Sequence, residues 1–98
     1  MAAYFIARYN VTNPEGFAAY GAAVRPTFAG HDVEFVAVDN ASQTMEGSPP
    51  QTTVVLKFPT KEAALGWYNS AAYQAIKHHR TDNCEGDAVL VDGFVMPS

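Results

Sequence analysis

Two strand-forming runs in this chain have no polar side. In Thr52–Phe58 (TTVVLKF) Val54 and Leu56 fall on one parity and Val55 on the other, and in Ala88–Val95 (AVLVDGFV) Val89 and Val91 oppose Leu90 and Phe94. Successive side chains of a strand point to opposite faces of its sheet. A sheet built from these runs therefore demands cover on both faces, and the intervening segments decide how much of it the chain supplies itself.

Ahead of them, Ala3–Val11 (AYFIARYNV) is rich in aromatic and β-branched residues and is expected as a first strand. Asn13-Pro14-Glu15 then offers an N-cap, a proline at the first helical position and an early carboxylate suited to the helix dipole. Phe17, Tyr20, Val24 and Phe28 form one apolar stripe, with Pro26 expected to kink or tighten the last turns and Gly30 to stop them. Val33–Val38 (VEFVAV) is a second strand, followed by a short extension at Thr44-Met45-Glu46 and a break at Gly47-Ser48-Pro49-Pro50. After the strand Thr52–Phe58, Thr60 caps a helix KEAALGWYN in which Ala64, Trp67 and Tyr68 share a face. Ser70 restarts a helix carrying Tyr73, Ile76, Lys77 and Arg80. Thr81 to Asp87 is a polar loop containing Gly86, and Ala88–Val95 closes the chain's pattern as the last strand.

The order βαββαβ predicts an α+β, ferredoxin-like sandwich: one antiparallel four-stranded sheet with helices on one face. Two helical layers cover only one face of such a sheet, so the other is expected to meet a second copy of the chain in a symmetric homodimer. With 98 residues there is room for one domain, residues 1–98.

Charge narrows the function. Six Lys and Arg against ten Asp and Glu give a net charge of −4, which argues against nucleic acid or an anionic membrane as partner. A ferredoxin-like sheet might be an RNA-recognition module, but the basic-aromatic strand motif is missing. No apolar stretch approaches the roughly 20 residues of a membrane span. The single Cys84 has no internal disulfide partner, and no signal-peptide pattern is present, so a reducing, cytoplasmic setting is expected. Nucleotide-binding glycine loops, the serine-hydrolase elbow and C-x-x-C are absent, and no cofactor is expected.

The start AYFIARYNVTNPEGFAAY, the Met45-Glu46-Gly47 step, and FPTKEAALGWYNSAAYQAIKHHR running into AVLVDGF resemble the domain of unknown function 1330 family, within the dimeric α+β-barrel superfamily. Phe58-Pro59, the Ala-rich helix, Trp67-Tyr68, Ser70, Tyr73 and Arg80 carry the likeness in combination. Ala71-Ala72 stands where the family has Pro-Glu, and His31-Asp32 where it has His-Gly-Gly. The resemblance implies a fold and a dimer rather than a reaction, because the superfamily includes cofactor-independent monooxygenases, haem-degrading enzymes, lactone isomerases and members without demonstrated chemistry. It also implies a pocket between the sheet and its helices.

Arg80 is the most informative residue. It lies seven positions after Tyr73, on the same helical stripe as Tyr73 and Ile76, and a guanidinium aimed at an apolar face needs a partner. It is expected either to pair internally, with Glu46 the favoured carboxylate, or to snorkel to the domain edge, or to bind a ligand's carboxylate or enolate oxygen in a bidentate fork. Glu46 is a candidate general base, although a neighbouring Arg80 would lower the pKa that burial would raise. His79 is a candidate proton carrier. His78 and His79 are adjacent on a helix and point about 100° apart, so no metal site is expected from them. Tyr20, Trp67 and Tyr73 are expected in the core and as pocket walls, with polar tips that need buried partners. Cys84 has the acidic neighbours Asp82 and Glu85, which raise a thiol pKa and disfavour nucleophilic chemistry. Two functions stay open: a small-molecule pocket protein for an aromatic or carboxylated metabolite, cofactor-independent if it is an enzyme, and a non-catalytic dimeric structural or interaction domain.

Overall fold

The computed structural model describes residues 1–47 and 52–95. Its elements run β1 (Ala3–Val11), α1 (Pro14–Val24), a 3₁₀ turn (Arg25–Phe28), β2 (Glu34–Asp39), β3 (Thr52–Phe58), α2 (Lys61–Tyr68), α3 (Ala71–Ile76), α4 (His78–Thr81) and β4 (Cys84–Asp92). The strands form one sheet in the order β2-β3-β1-β4, every neighbouring pair antiparallel. This is the ferredoxin-like α+β arrangement, with helices packed on one face. No helix is long and apolar enough to cross a membrane among the described residues.

Alternation along β1 sorts the two faces. Phe5, Ala7 and Tyr9 point to the helices and are buried with Leu56 and Phe58 of β3, Ala64 and Trp67 of α2, and Tyr73 of α3. Trp67 is the hub of this core, its ring 4.9 Å from Phe28, 5.4 Å from Phe5 and 4.2 Å from Tyr73. Tyr4, Ile6 and Arg8 occupy the other parity, beside Val55 of β3 and opposite Val91, Val89 and Asp87 of β4. No described helix covers that face, and Val89 and Val91 stand exposed on it.

Helix termini follow local chemistry. Thr60 and Ser70 cap α2 and α3, their hydroxyls accepting from the Ala63 and Tyr73 amides. Asn13 occupies the cap position of α1 but its side chain makes no cap bond. The entry to α1 is instead tied to the far end of the chain: the Thr12 and Asn13 amides both donate to the Asn83 carbonyl, at 2.8 and 3.2 Å. Pro26 sits in the 3₁₀ turn that ends the first helical segment, as a ring-locked residue without an amide requires.

Four expectations are corrected. The strand β2 spans Glu34–Asp39, one residue later than its apolar pattern indicates. Thr44-Met45-Glu46 is not a strand extension, a bend running instead over Met45, Glu46 and Gly47; of the break after it, Ser48, Pro49 and Pro50 lie outside the described residues. The helix from Ser70 is two pieces, interrupted at Lys77. The loop expected over Thr81–Asp87 is largely strand: β4 begins at Cys84 and ends at Asp92 because β1 extends to Val11 and offers a pairing partner at every position, Cys84 opposite Val11 and Gly86 opposite Tyr9. The polar Glu85 and Asp87 stand exposed on the uncovered face, opposite Asn10 and Arg8. Only glycine fits at position 86, since a Cβ there would lie 2.0 Å from the Arg8 carbonyl oxygen.

Candidate functional site

Although α1 carries the expected apolar stripe, it buries no residue completely. It stands off the sheet, and β2 is exposed along its whole length. The space between them is a cleft of about 220 Å³, walled by Phe17 and Tyr20 of α1, Phe35 and Val38 of β2, Val54 of β3 and Tyr9 of β1, with Arg80 at its polar end. Phe35 and Val38 are about half exposed at the mouth, at 49% and 55%. Among the described residues the lining contains no carboxylate and no second cation.

The short α4 delivers Arg80 to this place. Arg80 is only 8% exposed, and its Nη2 donates to the Tyr73 hydroxyl at a long 3.5 Å. The Tyr73 hydroxyl lies 3.0 Å from that of Tyr20, and the Arg80 guanidinium carbon is 5.9 Å from the centre of the Tyr20 ring, within cation–π reach. Arg80 Nε is buried with no hydrogen-bond partner among the described residues.

Burial shapes the ionisation of this group of side chains. Burial pushes the Tyr20 hydroxyl far above the ordinary phenol range, and the neighbouring Tyr73 adds to it. Tyr9 is raised by burial as well. For Arg80, burial alone would lower the pKa, but the Tyr73 and Tyr20 oxygens outweigh it and leave it raised. The cation persists at any physiological pH. Cys84 is raised, by burial rather than by the acidic neighbours expected from sequence, while Arg80 pulls the other way.

The residues singled out from sequence separate into three groups. Arg80 and Tyr20 come together in the cleft. Tyr73 and Trp67 are completely buried behind its lining: Tyr73 joins the two through its hydroxyl, and Trp67 packs under Phe28 and donates its indole N–H to Thr27 Oγ1 at 3.0 Å. Glu46 and His79 lie elsewhere. Glu46 is exposed on the loop after β2 and lines a shallow hollow with Arg8 and Thr53. Those two residues stand on the strand parity opposite to Tyr9 and Val54, so the sheet separates Glu46 from Arg80. The internal ion pair expected between them is absent among the described residues, and phenol oxygens take the carboxylate's place. His79 packs its ring 4.0 Å from that of His78, and its carbonyl accepts from Asn83 Nδ2 at 2.8 Å. It does not line the cleft. Among the described residues no three His, Cys, Asp or Glu side chains converge. Tyr9 and Asn40 are polar lining residues that the sequence reading passed over. The shared parity of Tyr9 with Phe5 and Ala7 was the available signal for the first.

Solved structures share this architecture. A protein of unknown function from Rhodopseudomonas palustris, RPA0582, superposes with a TM-score of 0.77 at 13% identity, covering 97% of this chain and 84% of that one. SnoaB, a cofactor-independent oxygenase from Streptomyces nogalater, gives 0.65 at 13% identity over 97% of this chain and 95% of its own. An antibiotic biosynthesis monooxygenase, so described with the qualifier of an inferred role, from Nitrosomonas europaea gives 0.58 at 14% identity over 93% and 89%. At such identities the likeness is one of fold. No curated protein matches the sequence. The family model for a domain of unknown function, DUF1330, matches residues 2–94, and the chain belongs to that family.

Proposed function

We propose that the chain is a small-molecule binding protein whose cleft takes a small aromatic or carboxylated metabolite against Arg80 and Tyr20, with Tyr73 and Trp67 supporting them from behind. One observation carries this reading. An arginine only 8% exposed, with an unbonded Nε and no carboxylate among its described neighbours, is a buried cation whose partners are phenol oxygens and no anion. Such charges cost several kcal/mol unless something pairs with them. An anionic ligand is the pairing that the apolar cleft leaves room for. At about 220 Å³ the cleft is below the roughly 300 Å³ of pockets for drug-sized ligands. The ligand is therefore about one ring in size.

The working unit in this proposal is a homodimer in the cytoplasm. Tyr4, Ile6, Val55, Val89 and Val91 form an apolar centre on the uncovered sheet face, and a second copy laid across it removes them from water. Any chemistry in this proposal is cofactor-independent, as SnoaB, a protein of the same fold, is described to be. Glu46 and His79 have no part in it, since neither reaches the cleft.

Native mass spectrometry of the protein as purified tests assembly and ligand together. A dimer carrying extra mass is expected. Calorimetric titration with benzoate should then show binding that Arg80→Ala abolishes while the circular dichroism spectrum is unchanged. A monomer overturns the dimer, and the absence of both retained mass and benzoate heat overturns the binding role. The Tyr20–Tyr73–Arg80 contacts also tie α1 to α3 and α4, which favours the non-catalytic structural reading as the second choice. Unfolding of Arg80→Ala without any ligand response would establish that one instead.

A further inference from the structure

Resting on the binding role above, we infer that Gly21 selects the ligand by size: the cleft takes a single aromatic ring whose end away from its polar group carries a branched apolar substituent, seated in the gap that Gly21 leaves in α1. Helix spacing creates the gap. Phe17, Tyr20, Gly21 and Val24 repeat at three- and four-residue steps along α1, and all four line the cleft. Three of them close their part of the wall with a large side chain, and Gly21 supplies none. Tyr20 and Gly21 lie about 100° apart around the helix. Tyr20 occupies the flank that meets Tyr73 and Arg80. Gly21 is on the other flank and is exposed, as are Phe35 and Val38 of β2 on the cleft's opposite wall.

The fold itself does not require a glycine there. Glycine weakens a helix interior relative to alanine, and a fold demands it where φ is positive or where another group crowds the backbone. Among the described residues only Gly30 and Gly47 have positive φ. A Cβ added at Gly21 meets nothing within 4 Å, whereas at Gly16, one turn earlier, it would run into the Asn83 side chain. Gly66 in α2 is equally unhindered, but it is exposed and stands outside this cleft's lining. Position 21 differs from position 66 in where its missing side chain belongs, which is on the stripe that walls the cleft. A ligand oriented as in the binding role, polar end at Arg80, extends its apolar end along the opposite flank of that stripe. There the absent side chain leaves room for a few carbon atoms between α1 and β2.

The test is calorimetric titration of the whole protein with benzoate and with 4-isopropylbenzoate. The wild type is expected to bind the isopropyl compound about tenfold or more tightly than benzoate. Gly21→Leu, which fills the gap, should lose that preference and keep its affinity for benzoate. Gly21→Ala should show an intermediate preference and, like the control Gly66→Ala, a raised thermal midpoint, so that a lost preference is not a lost fold. Gly66→Ala should keep the wild-type preference. A wild type without the preference, a preference that survives Gly21→Leu, or an equal loss of both ligands in that variant overturns the size selection and leaves benzoate binding standing. A lowered midpoint in Gly21→Ala overturns it as well, because the glycine would then be serving the fold. Failure of both compounds to bind the wild type overturns the inference and the binding role beneath it.

Discussion

The indole N–H of Trp67 donates to Thr27 Oγ1 at 3.0 Å, and the Thr27 hydroxyl passes its own proton to the Val24 carbonyl at 2.5 Å. A residue from the centre of α2 is thus bonded to the 3₁₀ turn that ends the first helical segment, inside a site where both side chains are buried. Thr27→Val keeps the shape and deletes the acceptor, leaving a buried donor unsatisfied. The expected cost is about 1–3 kcal/mol, measured as a lower urea midpoint at unchanged m. A loss below about 0.5 kcal/mol would mean that water or a rotated indole replaces the bond.

Two glycines should respond to alanine with opposite signs. At Gly86 the new Cβ would meet the Arg8 carbonyl oxygen at 2.0 Å and Tyr9 Cα at 2.6 Å, backbone against backbone, so β1 and β4 must part. A loss of about 1–3 kcal/mol is expected, with faster amide exchange along Tyr9–Val11. At Gly66, inside α2, a Cβ meets nothing within 4 Å. There the added helix propensity and the stiffer unfolded chain should stabilise by about 0.5–1 kcal/mol. Equal effects at the two sites would contradict the strand assignment at 86.

Alkaline pH should destabilise the fold. The Tyr20 and Tyr9 hydroxyls are raised above the phenol's usual 10.0, and Cys84 above the thiol's usual 9.0. Between the unfolded and folded pKa values the folded state binds more protons than the unfolded one, so stability falls as pH rises. The stabilisation is complete below about pH 9 and is lost progressively above it. Urea unfolding at a series of pH values from 8 upward, on the order of half a unit apart, should show the decline, and Tyr20→Phe should flatten it. A stability that holds level through this range would show that the hydroxyl is not held in its buried, neutral form.

The four strands, the helix caps at Thr60 and Ser70 and the buried aromatic face were legible from periodicity and capping alone, because local chemistry decides them. The start of β4 was not. Cys84, Glu85, Gly86 and Asp87 look like a loop in isolation and become strand only because β1 lies alongside as a template. Arg80's position on the Tyr73 stripe was readable from a spacing of seven, but its partner was not. A carboxylate is the chemically obvious choice, and which face of the sheet the Glu46 loop emerges on depends on how β2 and β3 are registered. That information is tertiary. The family resemblance implied a pocket between sheet and helices, but where one lies was hidden for the same reason: the stripe on α1 is continuous in sequence, and nothing local says that the helix will stand off an uncovered β2.

The separation of Arg80 from any carboxylate leads to a prediction about stability as well as binding. A structural ion pair loses about 3–5 kcal/mol when one member is removed. Arg80 instead has a long bond to the Tyr73 phenol oxygen, the Tyr20 ring beside it, an unbonded Nε and no carboxylate among its described neighbours, so no opposite charge offsets its desolvation. Methionine retains the length and apolar stem of the side chain without the charge. Arg80→Met should therefore leave the thermal midpoint unchanged or raise it, by an amount on the order of 1 kcal/mol of stability, while abolishing benzoate binding. Tyr73 and Tyr20 keep their mutual bond in the variant, so the fold loses no other polar contact. A midpoint lowered by the equivalent of several kcal/mol would identify Arg80 as a structural clamp between α4 and α1. An unchanged or higher midpoint with lost binding is the pattern of a group held in an unfavourable place for the sake of its ligand.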